Sequence, residues 1–356
     1  MKVIAINSSP RVGGQSRTEM MLNSLVHGMR NAGAEVEIIN LREKKINNCV
    51  GCFTCWSKTP GECIHKDDMT KEIFPKWTEA DLVVYATPLY NHTMNSIMST
   101  LMERLLPVLE PFFIKDDDGK TCHPLRSKVP KSVWLSVCGF PEVSEFKTFS
   151  TYLKSLTRKD APLVAEIFRP DAESLVSSMH KNELKDILDA TSKAGMELVK
   201  SGKVEKDTMS IIKQPLQDLQ RFAKLGNIFW KTCIAEGVTV KEFKEKGIIP
   251  SAESIEEFIL LFPYGLNSKA VGEGKAVLQF DFNGQVNESC YFDISKDNIE
   301  AKIGSSENPE IVIKTPFDLW MDIMTQKADG EKMFMEEKYT VEGDLSLMLE
   351  LFKKDV

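Results

Sequence analysis

Long apolar runs are missing from this chain. No stretch of its 356 residues approaches the ~20 consecutive apolar side chains that cross a bilayer, which excludes a helical membrane span. A surplus of basic charge is missing as well. Lys and Arg number 45 against 52 Asp and Glu, a formal net charge of −7. That balance argues against a nucleic-acid partner or an anionic membrane surface, because binders of those carry a basic face. Neither the GxGxxG pattern of dinucleotide folds nor a GxxxxGK[ST] phosphate loop occurs. Internal repeats and low-complexity tracts are absent, and no residue stands out as a general acid or base. The opening run Met1-Lys2-Val3-Ile4-Ala5-Ile6 is too short for a secretory leader and passes into polar Asn7-Ser8-Ser9. The expected location is therefore cytoplasmic, and the eight cysteines are expected to be free of structural disulfides.

What is present is enough for two domains. Hydrophobic residues make up 42% and charged residues 27%, the mixture of an ordinary globular protein, and the length exceeds what one core takes. Apolar runs predict strands at 2–6, 36–39, 81–86, 131–138 and 163–168. Between them, helical spacing predicts helices at 18–32, 95–106 and 182–200, the first with Met21, Leu22, Leu25, Val26 and Met29 on one face. This alternation implies an α/β fold with a doubly wound parallel sheet, which binds ligands at the carboxyl ends of its strands. After about residue 205 the pattern changes. A helix is expected at 209–235, with Pro215 in its first turn, and a charged connector at 236–250. A helix at 255–262 follows, then strands at 276–282, 288–294, 299–303 and 310–314, with Asn283-Gly284 as a hairpin signal. Helices at 316–326 and 344–353 complete an α+β domain with an antiparallel sheet. The expected division is 1–205, a helical connector 206–251, and 252–356.

Two segments carry chemistry. The first is the loop Asn7-Ser8-Ser9-Pro10-Arg11-Val12-Gly13-Gly14-Gln15-Ser16-Arg17-Thr18, between the first strand and the first helix. Hydroxyls and backbone N–H groups at a helix N-terminus suit a phosphate, and Arg11 or Arg17 can add charge; an ordinary capped turn is the alternative. The second is Cys49-Val50-Gly51-Cys52-Phe53-Thr54-Cys55 with Cys63 seven residues on. Four thiols so close suit an iron–sulfur cubane, a tetrahedral zinc ion, or a metal-free thiol loop or redox disulfide. The isolated Cys122, Cys138, Cys233 and Cys290 read as packing residues.

Ser8-Ser9-Pro10-Arg11 followed by Gly14-Gln15-Ser16 resembles the phosphate-binding signature of the NADPH-dependent FMN reductase and multimeric flavodoxin families, with Ser8 where Gly is usual. The resemblance continues through Thr87-Pro88-Leu89-Tyr90-Asn91-His92-Thr93 and Leu101-Met102-Glu103-Arg104. It implies a flavodoxin-like fold and an FMN-dependent oxidoreductase with NAD(P)H or ferredoxin as electron donor. The phosphate would lie on Ser8, Ser9, Arg11, Gln15, Ser16 and Thr18. Thr87, Pro88, Leu89, Tyr90, Asn91 and Gly139 would border the flavin ring. Arg104 is either a flavin contact or a helix-face charge, and His92 a loop hydrogen-bonder. The compact cysteine motif, with Lys66-Asp67-Asp68-Met69 after it, is similar to that of archaeal-type iron–sulfur flavoproteins. That likeness implies a [4Fe–4S] cluster on Cys49, Cys52, Cys55 and Cys63. Such reductases are commonly dimers or tetramers, which implies a homo-oligomer.

Residues 252–356 resemble the sterol carrier protein 2 family, through Val277-Leu278-Gln279-Phe280-Asp281-Phe282-Asn283-Gly284, the run from Pro309 to Trp320, and Tyr339-Thr340-Val341-Glu342-Gly343-Asp344. This implies an apolar tunnel that takes an acyl, isoprenoid or quinone-like guest; a quinone would accept electrons from the flavin. Met321, Met324, Met333, Met335 and Met348 either line that tunnel or belong to the core. The competing function is a carrier of apolar ligands whose flavin domain senses redox state.

Overall fold

The alternation of side chains along each apolar run decides how the first part of the chain is layered. In the computed structural model, which describes residues 1–116, 119–177 and 180–353, that part is a five-strand parallel sheet covered on both faces. The strands are β1 (Lys2–Asn7), β2 (Glu35–Asn40), β3 (Leu82–Tyr90), β7 (Lys131–Val137) and β8 (Leu163–Arg169), in the order β2-β1-β3-β7-β8. The short β4 (Thr93–Met94) folds back on the end of β3, and β5 (Ile114–Lys115) with β6 (Thr121–Cys122) forms a separate small hairpin. Successive residues point to opposite faces of a strand. Val3, Ala5, Val84, Ala86, Val133 and Leu135 thus enter one core, under α1 (Arg17–Asn31) and α5 (Lys181–Ser201). Ile4, Ile6, Val83, Tyr85 and Trp134 enter the other, under α2 (Phe74–Glu79), α3 (Ser96–Glu103) and α4 (Lys147–Leu156). The expected strands and three expected helices lie here; α2, α4 and the β5–β6 hairpin carry no clear signal in the sequence.

α1 and α5 approach so closely that two contacts exclude any side chain. A Cβ on Gly28 would stand 1.7 Å from the Ser192 carbonyl oxygen, and one on Gly195 2.1 Å from that of Leu25. Both are backbone atoms, so only glycine fits at this spacing.

The described chain divides into two compact units, Met1–Leu216 and Gln217–Val356. α6 (Lys206–Ile212) packs on α5 in the first. The expected single helix 209–235 is two helices, because Pro215 lacks an N–H and disfavours helical backbone at Gln214. α7 (Leu219–Glu236) restarts at Asp218, whose side chain accepts from the Arg221 N–H. The charged stretch 236–250 is also not simply a connector: α8 (Val240–Glu245) forms there on a Thr239/Glu242 capping box.

In the second unit, α9 (Ile255–Leu261) lies against a sheet of β9 (Lys275–Asn283), β10 (Ser289–Ser295), β11 (Asn298–Ile303), β12 (Ile311–Pro316) and β13 (Thr340–Gly343), with α10 (Phe317–Met324), α11 (Gly330–Met335) and α12 (Leu345–Leu351). The strand order is β11-β10-β9-β12-β13. The expected antiparallel sheet is corrected here: β12 pairs with β9 in parallel, because the loop after β11 carries the chain past two strands to the far side of β9. Its core is a cluster of rings, Phe258, Phe262, Phe280, Phe282, Phe292 and Phe317, with centroids 4.9–6.2 Å apart around Phe258. Met321 and Met348 join it, Met324 and Met333 pack on its edge, and Met335 is exposed, so Met335 lines no interior.

Candidate functional site

Three loops meet at the carboxyl ends of neighbouring strands β1, β3 and β7, where the sheet's connections change direction. The loop after β1 is built from hydroxyls. Ser16 caps α1, accepting from the Glu19 N–H at 3.0 Å while its Oγ donates to Ser9 Oγ at 2.7 Å. Ser8 is fully buried, and both its N–H and its hydroxyl donate to the Ala86 carbonyl at 2.9 and 3.2 Å. Between these anchors Pro10 to Gln15 are exposed, and Gly13 and Gly14 take φ of +63° and +75°. Thr18 is buried in the first turn of α1, whose leading N–H groups a helix leaves open.

The two arginines of this loop differ. Arg11 is half-exposed and pairs with Glu173. Arg17 is buried, which lowers its pKa; its Nη1 donates to the Gly14 carbonyl at 3.4 Å, and its Nε makes no hydrogen bond but stands 3.7 Å from the Glu173 carboxylate as an ion pair. A buried guanidinium with an unused N–H at a helix N-terminus is a ready anion donor.

The β3 segment is ordered differently from an open loop. Thr87 and Pro88 are buried inside the strand, Leu89 is half-buried, and Tyr90 and Thr93 pair across a tight turn. Asn91 and His92 make that turn with φ of +48° and +59°, and His92 Nδ1 lies 3.4 Å from Glu145. Tyr90 is 46% exposed. Gly139 and Phe140 after β7 are exposed, while Cys138 beside them is buried. Asn95, given no part by the sequence pattern, fastens the loops together: its Nδ2 donates to the Ser8 carbonyl at 2.7 Å and its Oδ1 caps α3. A short polar residue just before a helix was its only signal.

The four cysteines of the motif line one pocket with Arg104, His65 and Glu103. Cys55 is buried, Cys49 and Cys63 are half-buried and Cys52 is exposed; all are free thiols. The Cys55 thiol is raised by burial and then by the neighbouring Cys63, Cys52 and Cys49, so the four share one electrostatic environment. Arg104 is not a solvated helix-face charge. It is 2% exposed and forks onto Asp67 at 2.7 and 3.1 Å, with the Asn47 carbonyl at 2.7 Å and Thr70 Oγ1 at 3.1 Å. Asp67 also accepts from the Asn47 N–H at 2.9 Å. This ion pair anchors the cysteine segment to α3, and 37 residues separate its members.

Among the described residues, no three of His, Cys, Asp and Glu converge as a single metal ion requires. A cubane takes one thiolate on each iron, so its donors surround a pocket instead of meeting at a point. Four thiols around one pocket suit such a donor set. Two buried polar atoms in the same wall, Arg104 Nε and His65 Nε2, lack partners within the chain, as expected of a pocket that receives an acceptor-rich group.

Residues 1–118 match the model of the family described as NADPH-dependent FMN reductase, and residues 264–353 that of the SCP-2 sterol transfer family. The chain joins the two segments. An iron-sulfur flavoprotein of Archaeoglobus fulgidus is 39% identical over 107 residues, which are 30% of this chain and 46% of that protein. An iron-sulfur flavoprotein of Methanocaldococcus jannaschii is 38% identical over 109 residues, 31% and 52% of the two chains. The chain thus spans about half the length of the curated relatives it matches. An azoreductase from Bacillus anthracis str. Sterne superposes with a TM-score of 0.41 at 15% identity, covering 56% of this chain and 98% of its own.

Proposed function

Starting from a chain that joins an FMN reductase-family segment to an SCP-2 sterol transfer-family segment, we propose an FMN-dependent oxidoreductase that passes electrons from NAD(P)H or ferredoxin through FMN and a [4Fe–4S] cluster. The observation that carries this reading is the meeting of three loops at the β1, β3 and β7 ends, in the same unit as the four-thiol pocket. In it, Ser9, Ser16, Thr18 and the first-turn N–H groups of α1 take the flavin phosphate, with Arg17 supplying the buried charge. Ser8 and Asn95 hold the loop, and Tyr90 and Gly139 border the ring. FMN supplies hydride and electron-transfer chemistry when bound, and this chain's groups position and tune it. Cys49, Cys52, Cys55 and Cys63 hold the cluster.

Ser16→Asp is the direct test. Aspartate caps a helix as well as serine does, so α1 stays folded, while its charge repels a phosphate. FMN affinity measured by fluorescence quenching is expected to collapse; wild-type affinity would remove the loop from the site. Flavin, iron and sulfide analysis of anaerobically purified protein tests the cluster. Cys63→Ser is expected to lose iron and Cys233→Ser to keep it.

A second reading, an apolar-ligand carrier with a redox-sensing flavin unit, has one specific support. Trp320 Nε1 is buried in the aromatic core of the second unit without a partner, a donor for a carbonyl-bearing guest. Colourless protein that binds fatty acyl or quinone probes saturably, and loses them in Trp320→Phe, would favour it.

A further inference from the structure

The Arg104 guanidinium offers five N–H donors. Both of its terminal nitrogens are occupied, by Asp67, the Asn47 carbonyl and Thr70 Oγ1. That leaves the Nε–H, which is buried and without a partner in the wall of the cysteine pocket. An unmade bond at a buried guanidinium is costly, more so than at an uncharged donor. Side-chain rotation cannot relieve it, because the fork onto Asp67 locks the plane. Cys63 lines the same pocket and, beside Asp67, interacts with the Arg104 guanidinium, so the guanidinium faces that end of the pocket.

We propose that Arg104 is a positioning residue for the cysteine-bound group, donating its Nε–H to the Cys63 thiolate sulfur or an adjacent sulfide. The role of the fork with Asp67 is to hold that donor fixed. It rests on the reading that the four cysteines carry a [4Fe–4S] cluster. Uptake of one electron from a reductant such as dithionite would make the whole cluster one unit more negative, with part of that charge on its sulfurs. An N–H already aimed at them stabilises the reduced form more than the oxidised one and raises the potential. Asp67 cancels the arginine's charge, so what Arg104 contributes is chiefly the directed hydrogen bond. His65 Nε2, the other unpartnered atom in the wall, offers a second, weaker contact.

The test is an anaerobic redox titration with dithionite and mediators, read by the low-temperature EPR signal of the reduced cluster, alongside iron, sulfide and FMN content. The main variant is Arg104→Gln with Asp67→Asn. It removes both charges together, leaves no uncompensated buried ion and keeps the net charge. At the ambient potential where the wild type is half-reduced, its reduced-to-oxidised ratio is expected to fall about tenfold, a shift of about 59 mV for a one-electron couple. Arg104→Lys, which keeps the charge and loses the Nε–H, is expected to shift in the same direction. If the double variant loses its iron, Arg104→Lys decides alone, a lowered potential supporting the assignment. Full iron content at an unmoved potential overturns the role of Arg104 and leaves the cluster reading intact. A wild-type chain that binds no iron overturns both.

Discussion

At the residue scale, burial sorts the eight cysteines into two populations. Cys52 is exposed at the tip of its segment, whereas Cys138 and Cys290 are buried in the two units. Burial pushes the Cys138 thiol up to about 12 and the Cys290 thiol higher still, which keeps both protonated and unreactive. Iodoacetamide at neutral pH on metal-free native protein should therefore modify Cys52 first and leave Cys138 and Cys290 intact, read by peptide mass spectrometry. Early labelling of Cys138 would contradict the packing described. Asp67 makes a second prediction. Burial alone would raise its pKa, but hydrogen bonds from Arg104 and from the Asn47 and Thr70 N–H groups outweigh that and hold it well below the usual 3.8. A depressed carboxyl contributes stability that is complete above the unfolded pKa and is lost as pH falls below it. Asp67→Asn leaves Arg104 buried without a counter-charge, so it should cost about 3 kcal/mol at pH 7 in urea unfolding. That deficit should narrow below pH 3.8, where the wild type loses its own advantage; a constant deficit would mean the ion pair is not its source.

At the scale of elements, the α1–α5 contact is the most sharply defined packing in the first unit. Alanine favours a helix over glycine by about 1 kcal/mol, yet at Gly28 and Gly195 the added methyl meets backbone that cannot move independently. Overpacking of this kind costs about 1–3 kcal/mol. Gly28→Ala and Gly195→Ala should therefore lower stability, while Gly226→Ala in α7, where a Cβ meets nothing within 4 Å, should be neutral or stabilising. Thermal unfolding of the three variants makes the comparison; equal shifts would show that helix propensity, not contact, governs all of them. Pro215 and the Thr239/Glu242 capping box were legible signals, and both are local. A helix break and a helix start lie where they stand, whereas the expectation was one continuous helix over 209–235 and a charged connector at 236–250.

At the scale of the molecule, the second unit is expected to fold alone. Its core draws on residues from Ala252 onward, and α7 packs on α9, with Lys231 bonded to Glu253 at 2.7 Å and Glu257 at 3.2 Å. A fragment of residues 217–356 should unfold cooperatively and at a higher denaturant concentration than one of residues 252–356, which lacks α7. Equal midpoints would show that α7 adds nothing to the unit.

Much of this was determined by the sequence itself. The five parallel strands of the first unit follow from short apolar runs, and α1, α3 and α5 from the 3.6-residue period, both of which near-neighbour geometry dictates. The hydroxyl-rich turn before Arg17 and the four closely spaced cysteines are likewise contiguous, so their chemistry could be read before any fold was known. The tertiary structure decided what depends on partners far along the chain. Arg104 was a charge of uncertain purpose until folding placed Asp67 against it, and Arg17 until burial removed its water. The parallel pairing of β12 with β9 and the glycine contact between α1 and α5 are choices of the same kind. The alternation of apolar residues says which face of an element is buried. Which atoms meet there, and which donor is left without an acceptor, is settled only when the elements pack.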